Sequence, residues 1–261
     1  MNLLTGIGKI YNAVKYDFPV KACLDSVLEG ADEFILTVCE DSEDDTVEFC
    51  KQLAAEEPRL KLIFDVWRTS PDEKYTNMTR LANRAIDESK SEWFWSLDMD
   101  EIMPIGESQR LRGVLEQQPK NVNAVSTRFY HLYFDTNQHI TGKLYDRSNR
   151  VARKGTGWVS DLDGCGLGKG KPDLAASDIV IVHYGYLREI GVHLQKEIRF
   201  QTDLYKDGVG GMWPDQRLVD FEKQAPESAE QFWRTLMGGN DKIVAYDGPQ
   251  QNAEALRLYG K

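Results

Sequence analysis

Short runs of consecutive apolar residues alternate, through the first hundred positions, with stretches whose apolar positions recur every three or four residues. The first spacing suits buried strands and the second suits helices with one apolar face. Lys9 to Val14 reads as a strand. Asp17 then caps a helix that begins near Pro19 and runs to about Glu29, a proline being tolerated where its missing N–H would have no partner. Glu33 to Val38 is a second, β-branched and aromatic run, and a helix from Thr46 to Glu57 follows it. Lys61 to Val66 is a third strand. Thr76 to Ser89 is an amphipathic helix with Met78, Leu81, Ala82 and Ile86 on one face, and Trp93 to Leu97 is a fourth strand. Strands separated by helices of this length predict right-handed crossovers, hence a mostly parallel sheet flanked by helices.

The second half changes character. Val122 to Phe134 predicts one long strand or a bent pair, and Lys143 to Val151 another strand. A glycine-rich loop from Gly155 to Gly170 leads to a strong strand at Ser177 to Tyr184. Helices are predicted from Glu189 to about Lys206 and from Glu227 to Met237, and the last residues read as weakly structured. No linker divides the chain and no repeat recurs in it. The expectation is one domain over 1–261, with a nucleotide-type half at 1–103 and a mixed half at 104–261.

Composition narrows the function. The chain is 41% hydrophobic and 28% charged, ordinary for a globular protein. No apolar run reaches the roughly 18 residues of a membrane span, and Met1 to Gly6 lacks the pattern of a secretion leader. Cys23, Cys39, Cys50 and Cys165 form no C-x-x-C pair, so reduced thiols and a cytoplasmic setting are expected. A net charge of −10 disfavours binding nucleic acid by charge alone. One basic segment stands out, with Lys143, Arg147, Arg150, Arg153, Lys154, Lys169 and Lys171, and it reads either as a solvated face or as an anion-binding surface. There is no G-x-G-x-x-G after the first strand and no G-x-x-x-x-G-K-[ST], which argues against dinucleotide oxidoreductases and P-loop enzymes.

The chemistry concentrates where the fourth strand ends. Trp93-Phe94-Trp95-Ser96-Leu97 stops at Asp98-Met99-Asp100-Glu101, three carboxylates with one spacer. A solvated acidic turn is one explanation. The other is a site, because ligands of parallel α/β sheets bind outside the carboxyl ends of the strands. Carboxylates there can hold Mg²⁺ or Mn²⁺, which in turn can hold a diphosphate. A second acidic turn, Glu40 to Asp45, falls at the same edge.

These features together resemble the GT-A glycosyltransferases, and more narrowly family 2. The family's D-D-x-S-x-D-x-T turn is matched by Cys39-Glu40-Asp41-Ser42-Glu43-Asp44-Asp45-Thr46, with Cys39 in place of the first acid. Asn83 matches an asparagine of the helix before the D-x-D strand. His183-Tyr184-Gly185-Tyr186-Leu187-Arg188, followed by Lys196 and Arg199, resembles an H-x-G…K…R-[FY] pattern of bacterial and phage members.

The resemblance implies a GT-A fold and a metal-dependent, inverting transfer of sugar from a nucleotide-diphosphate sugar, UDP-linked by preference. Asp98 would face the ribose or sugar and the ion, and Asp100 would bind the ion, Mn²⁺ or Mg²⁺. Glu101 would support them. His183 would be a third metal ligand, a phosphate hydrogen-bonding group or a structural residue. Glu40, Asn83, Lys196 and Arg199 would contact the nucleotide sugar. Asp161, with Asp163 second, would be the catalytic base, and Trp158 would stack on a sugar ring of the acceptor or pack in the core. The acceptor would be a glycan, a lipid-linked glycan or a hydroxymethylated DNA base. The alternatives are a nucleotidyltransferase acting on a sugar phosphate and a non-catalytic carbohydrate-binding protein.

Overall fold

The computed structural model describes residues 2–67, 77–133, 135–141, 146–160, 167–168, 174–189, 191–193, 195–196 and 242–259. Its first half alternates strand and helix: β1 (Leu4–Ile10), α1 (Val20–Leu28), β2 (Glu33–Cys39), α2 (Thr46–Glu56), β3 (Leu60–Asp65), α3 (Asn77–Glu88) and β4 (Trp93–Ser96). β1 pairs in parallel with β2 and β4, and β2 with β3, giving the order β3-β2-β1-β4. Alternate residues of β4 pack on opposite faces. Trp93 and Trp95 join Leu24, Phe34 and Leu111 in one core cluster, while Phe94 joins Ile7, Ile35, Ala85 and Ile86 in another.

β1 lies earlier than the pattern predicted, because two glycines and a lysine disguise it. All seven of its residues are buried. A Cβ on Gly6 would lie 2.5 Å from the Phe34 ring, and one on Gly8 would lie 2.7 Å from Met99 Sδ. The strand therefore gives up two side chains so that its neighbours can pack across it. Residues 11–17 turn instead of continuing it, with Asn12 and Asp17 at φ 50° and 49°. Asp17 does not cap α1, which starts after Pro19 without a side-chain cap.

The second half extends the sheet with antiparallel strands. β5 (Glu101–Ile102) and α4 (Glu107–Glu116) lead to β6 (Ala124–Tyr133), β7 (Asp135–Thr141) and β8 (Arg147–Arg153). The predicted run at Val122 to Phe134 contains the strand β6; β7 was not predicted, and the strand predicted from Lys143 is β8, which starts at Arg147, with 134 and 142–145 outside the described residues. Short strands β9 (Val159–Ser160) and β10 (Leu167–Gly168) pair within the glycine-rich loop. β11 (Leu174–His183) runs parallel to β6, and its end pairs with β5. β12 (Lys242–Ala245) and α5 (Ala253–Tyr259) follow. The full order is β12-β7-β6-β8-β4-β1-β2-β3, with β11 also on β6.

The chain's last stretch is ordered, contrary to expectation. β12 pairs with β7, Tyr259 stacks on Tyr184 at 5.6 Å, and Gln251 bonds both the Tyr184 hydroxyl and the Thr136 carbonyl. Of the helix predicted from Glu189, residues 191–193 and 195–196 are helical; its remainder and the one predicted from Glu227 to Met237 lie outside the described residues. Cys23, Cys39 and Cys50 are free and buried, and burial pushes the Cys50 thiol up to about 12. Among the described residues no helix is long and apolar enough to cross a membrane.

Candidate active site

Each of the three carboxylates after β4 is met by a cation from a different part of the fold. The β1–β4 register pairs Ile7 with Ser96, which carries Lys9 alongside Asp98 two residues later. Lys9 Nζ donates to Asp98 Oδ1 at 2.6 Å, from a side chain only 6% exposed. Glu101 turns back to accept the Asp98 backbone N–H at 3.0 Å and pairs with Arg150, both side chains being buried.

Arg150 reaches Glu101 through a slip in the sheet. The β6–β8 ladder pairs Val125 with Val151 but Ser126 with Asn149, so Arg150 is an extra, bulged residue. Such a bulge re-aims a side chain that regular alternation would send elsewhere. Its guanidinium lies 5.0 Å from the Phe129 ring and 3.9 Å from Asp98.

Asp100 is 2% exposed and sits against the end of β11. β5 pairs Glu101 with His183, and the Tyr184 N–H donates to the Asp100 carbonyl at 2.8 Å. Asp100 Oδ2 accepts from Arg188 at 2.7 Å and lies 3.8 Å from Lys196 Nζ; Oδ1 lies 3.6 Å from His183 Nε2. Arg188 also donates to the carbonyls of Gly185 and Asp17 and lies over the Phe18 ring at 4.2 Å. Gly185 has a packing reason. A Cβ there would stand 2.4 Å from His183 Nε2 and 3.0 Å from Asp100 Oδ2. His183 Nδ1 meets His131 Nδ1 at 3.3 Å across the β6–β11 pair.

The charges follow from these contacts. Burial pushes the Asp100 carboxyl up, but Arg188, His183 and Lys196 outweigh it and hold the group far below the usual carboxylate range. Burial raises Glu101, against the pull of Arg150 and with a push from Asp98. Burial lowers the His183 imidazole to about 4, which Asp100 only partly offsets, so it is neutral near pH 7.

The second acidic turn does mainly structural work. Thr46 Oγ1 and Asp44 Oδ2 accept the N–H groups of Ala13 and Lys15 at 2.6 Å each, Asn12 Oδ1 accepts that of Glu43, and Asp41 accepts that of Trp67. These bonds tie the β2 exit to the β1 exit and to the end of β3. Cys39 is buried beside Tyr11, Trp67 and Leu81, with Tyr11 stacked on Trp67 at 4.9 Å. Glu40 is exposed at the β2 exit and Asn83 is half-buried on α3.

Of the predicted site residues, Asp98, Asp100, His183 and Lys196 come together. Asp161, Asp163 and Arg199 lie outside the described residues. Trp158 does not present a stacking face. It is 5% exposed and packs with Ala85, Ile86, Phe94 and Ala152. Of the basic segment's described members, Arg147 is exposed and donates to the Ser177 carbonyl, and the others turn inward. Arg150 is buried on Glu101, Arg153 lies over Trp93 at 4.1 Å, and Lys154 donates to the carbonyls of Ile86, Asp87 and Ser89 at the end of α3. Lys143, Lys169 and Lys171 lie outside the described residues. Lys9 and His131 carried no sequence signal, Arg150 stood out only as one of the basic segment, and Arg188 closes the H-Y-G-Y-L-R string.

A parallel α/β half with acids at its carboxyl edge, continued by a mixed second half whose β11 brings a histidine to those acids, is a GT-A fold. Residues 10–168 match the sequence model of glycosyl transferase family 2, and the chain belongs to that family of glycosyltransferases. No curated protein matches it. Among solved structures it is similar to S. aureus TarS 1-349, at 12% identity over 87% of this chain and 80% of that one, TM-score 0.45. The same TarS fragment in complex with UDP-GlcNAc aligns at 11% identity over 87% and 81%, TM-score 0.46. The mannosyltransferase PcManGT from Pyrobaculum calidifontis, in complex with GDP-Man and Mn²⁺, aligns at 16% identity over 87% and 72%, TM-score 0.45. The family match ends before His183, Arg188 and Lys196, so the structure alone joins these residues to the acids.

Proposed function

We propose that this protein transfers a sugar from a nucleotide-diphosphate sugar, UDP-linked by preference, to an acceptor hydroxyl with inversion and with the help of a divalent ion. The observation that carries the reading is the facing pair of Asp100 Oδ1 and His183 Nε2, 3.6 Å apart at the carboxyl edge of the sheet. An ionised carboxylate and a neutral imidazole are fitting donors for Mn²⁺ or Mg²⁺, and Gly185 keeps the space beside them clear. Among the described residues no group of three or more histidine, cysteine and acidic side chains is arranged to hold an ion. A two-residue site suits a cation that takes its remaining ligands from substrate phosphates and water. Asp98, held by Lys9, is assigned to the ribose or sugar rather than to the ion.

When bound, the ion would act as a Lewis acid toward the departing diphosphate. Lys196 and Arg199 are assigned to the diphosphate, and Glu40 and Asn83 to the nucleoside. On the family resemblance, Asp161 is the base that takes the acceptor proton, with Asp163 second. The one sheet running from β3 to β12 supports reading the chain as a single domain, and the buried free thiols support a cytoplasmic setting. A glycan or lipid-linked glycan is the favoured acceptor class. A DNA acceptor rested on the basic segment, whose members Arg150, Arg153 and Lys154 are spent on internal partners.

The test is incubation with a panel of nucleotide sugars with and without Mn²⁺, followed by product analysis. Release of a nucleoside diphosphate is expected, with loss of turnover in Asp100→Asn and His183→Ala. Pyrophosphate as product would indicate nucleotidyl transfer instead. Unchanged metal-dependent binding and hydrolysis in Asp100→Asn would remove the site assignment.

A further inference from the structure

We propose that His131 is a positioning residue: by accepting the Nδ1 hydrogen of His183, it holds the Nε2 lone pair of His183 toward Asp100. The inference rests on the metal-site reading above and adds to it the group that sets the histidine's tautomer.

His131 and His183 are partners across the parallel β6–β11 ladder, so their side chains leave neighbouring strands on the same face. Their Nδ1 atoms are 3.3 Å apart. Two imidazole nitrogens can share such a contact only if one carries the hydrogen and the other offers its lone pair. Two arrangements are therefore open. If His131 donated, His183 would carry its hydrogen on Nε2 and aim it at Asp100. That hydrogen would have a strong acceptor in view, yet Nε2 stands 3.6 Å from Oδ1, beyond hydrogen-bond length. If His183 donates, Nε2 presents a lone pair and Oδ1 another. Two lone pairs facing each other at that separation hold apart and leave room for a cation. The observed spacing fits the second arrangement.

The neighbours reinforce it. The His131 ring is 3% exposed and lies nearly parallel to Phe129, at 5.7 Å and 18°, which fixes its orientation. Tyr186 meets the His183 ring edge-on at 5.0 Å. Gly185 leaves free the space that a methyl group would fill 2.4 Å from Nε2. A histidine that binds a metal through one nitrogen commonly donates from the other to an oriented partner, and loss of that partner costs about 10–100-fold in metal affinity. Here the partner is another histidine.

The experiment needs no donor sugar. Nitrogen-15 histidine spectra of the full chain without metal at pH 7.5 resolve tautomers directly, and the chain has only four histidines to assign. His183 should show a protonated Nδ1 and a lone pair on Nε2. In His131→Phe it should revert to Nε2–H, and affinity for Mn²⁺ alone should fall about 10–100-fold. In His131→Asn, whose carboxamide oxygen can accept the same hydrogen, tautomer and affinity should stay near wild type. An Nε2–H tautomer in the wild type would overturn the proposal without recourse to any variant. So would wild-type Mn²⁺ affinity in His131→Phe. His183→Ala separates the two levels: if it keeps Mn²⁺ affinity, the metal reading fails, while the wild-type spectrum still decides the role of His131.

Discussion

Gly185→Ala would place one methyl group in the space between His183 and Asp100. The new Cβ would lie 2.4 Å from His183 Nε2, 2.5 Å from its Cε1 and 3.0 Å from Asp100 Oδ2. Ordinary contact between such atoms is about 3.5 Å, so the imidazole must move by roughly 1 Å. It has little freedom to do so, with His131 on Nδ1 and Tyr186 on its edge. Overpacking of this kind costs about 1–3 kcal/mol, and about 2 kcal/mol in a chain of this size lowers Tm by roughly 4–8 °C. The effect on turnover should be larger, since a misplacement of about 1 Å at a reacting centre can cost about 100-fold. The assay is Mn²⁺-dependent release of nucleoside diphosphate alongside a thermal melt. Gly113→Ala in α4 is the internal control. Its Cβ would meet nothing within 4 Å, so that variant should be stabilised by about 0.5–1 kcal/mol with turnover unchanged. If Gly185→Ala kept full turnover with Mn²⁺, the argument that this glycine guards the ion's place would be refuted.

Three further outcomes are expected. Arg150→Met leaves the Glu101 carboxyl buried without its guanidinium and should cost about 3–5 kcal/mol in urea unfolding at pH 8; a cost below about 1 kcal/mol would show that the pair is not needed. Asp65 is 6% exposed, and although burial pushes its carboxyl up, Arg84, the Val66 N–H and Arg80 outweigh burial and lower it. Its folded value lies below its unfolded one of about 4, so its contribution is present above pH 4 and is lost as pH falls through the folded value. Asp65→Asn should therefore be clearly less stable than wild type at pH 7, with the gap narrowing below pH 4; a constant gap in urea titrations would refute that linkage. Lys154→Met removes three bonds to carbonyls at the end of α3 and should lower Tm without changing the KM for the donor.

The parallel half was legible because β2 and β4 are buried throughout and read as mainly apolar runs, Phe34 to Val38 broken only by Thr37 and Trp93 to Trp95 unbroken. β1 was misplaced where packing demanded Gly6 and Gly8, which carry no β signal. α5 was missed because seven residues, even good helix formers, are too few to hold a helix alone; Ala255 and Tyr259 hold it by tertiary contact. The D-x-D-E turn was legible because a carboxylate cluster interrupts an apolar strand. Its cations were not, since Lys9 in a strand reads as a surface residue and a bulge such as that at Arg150 has no local signature. The basic segment is a different case: its described members Arg150, Arg153 and Lys154 turn to separate internal partners, which a run of charges in sequence does not reveal.

The pairing of each carboxylate with a distant cation also bears on how the chain folds. Asp98, Asp100 and Glu101 find Lys9, Arg188 and Arg150 across separations of 89, 88 and 49 residues. Until β1, β8 and β11 have all docked, these acids remain solvated, and burying them would be opposed by desolvation. The turn between β4 and β5 that bears them cannot settle early and alone. Such long-range closures slow folding, and they make the carboxylate cluster a checkpoint that only the completed sheet can pass.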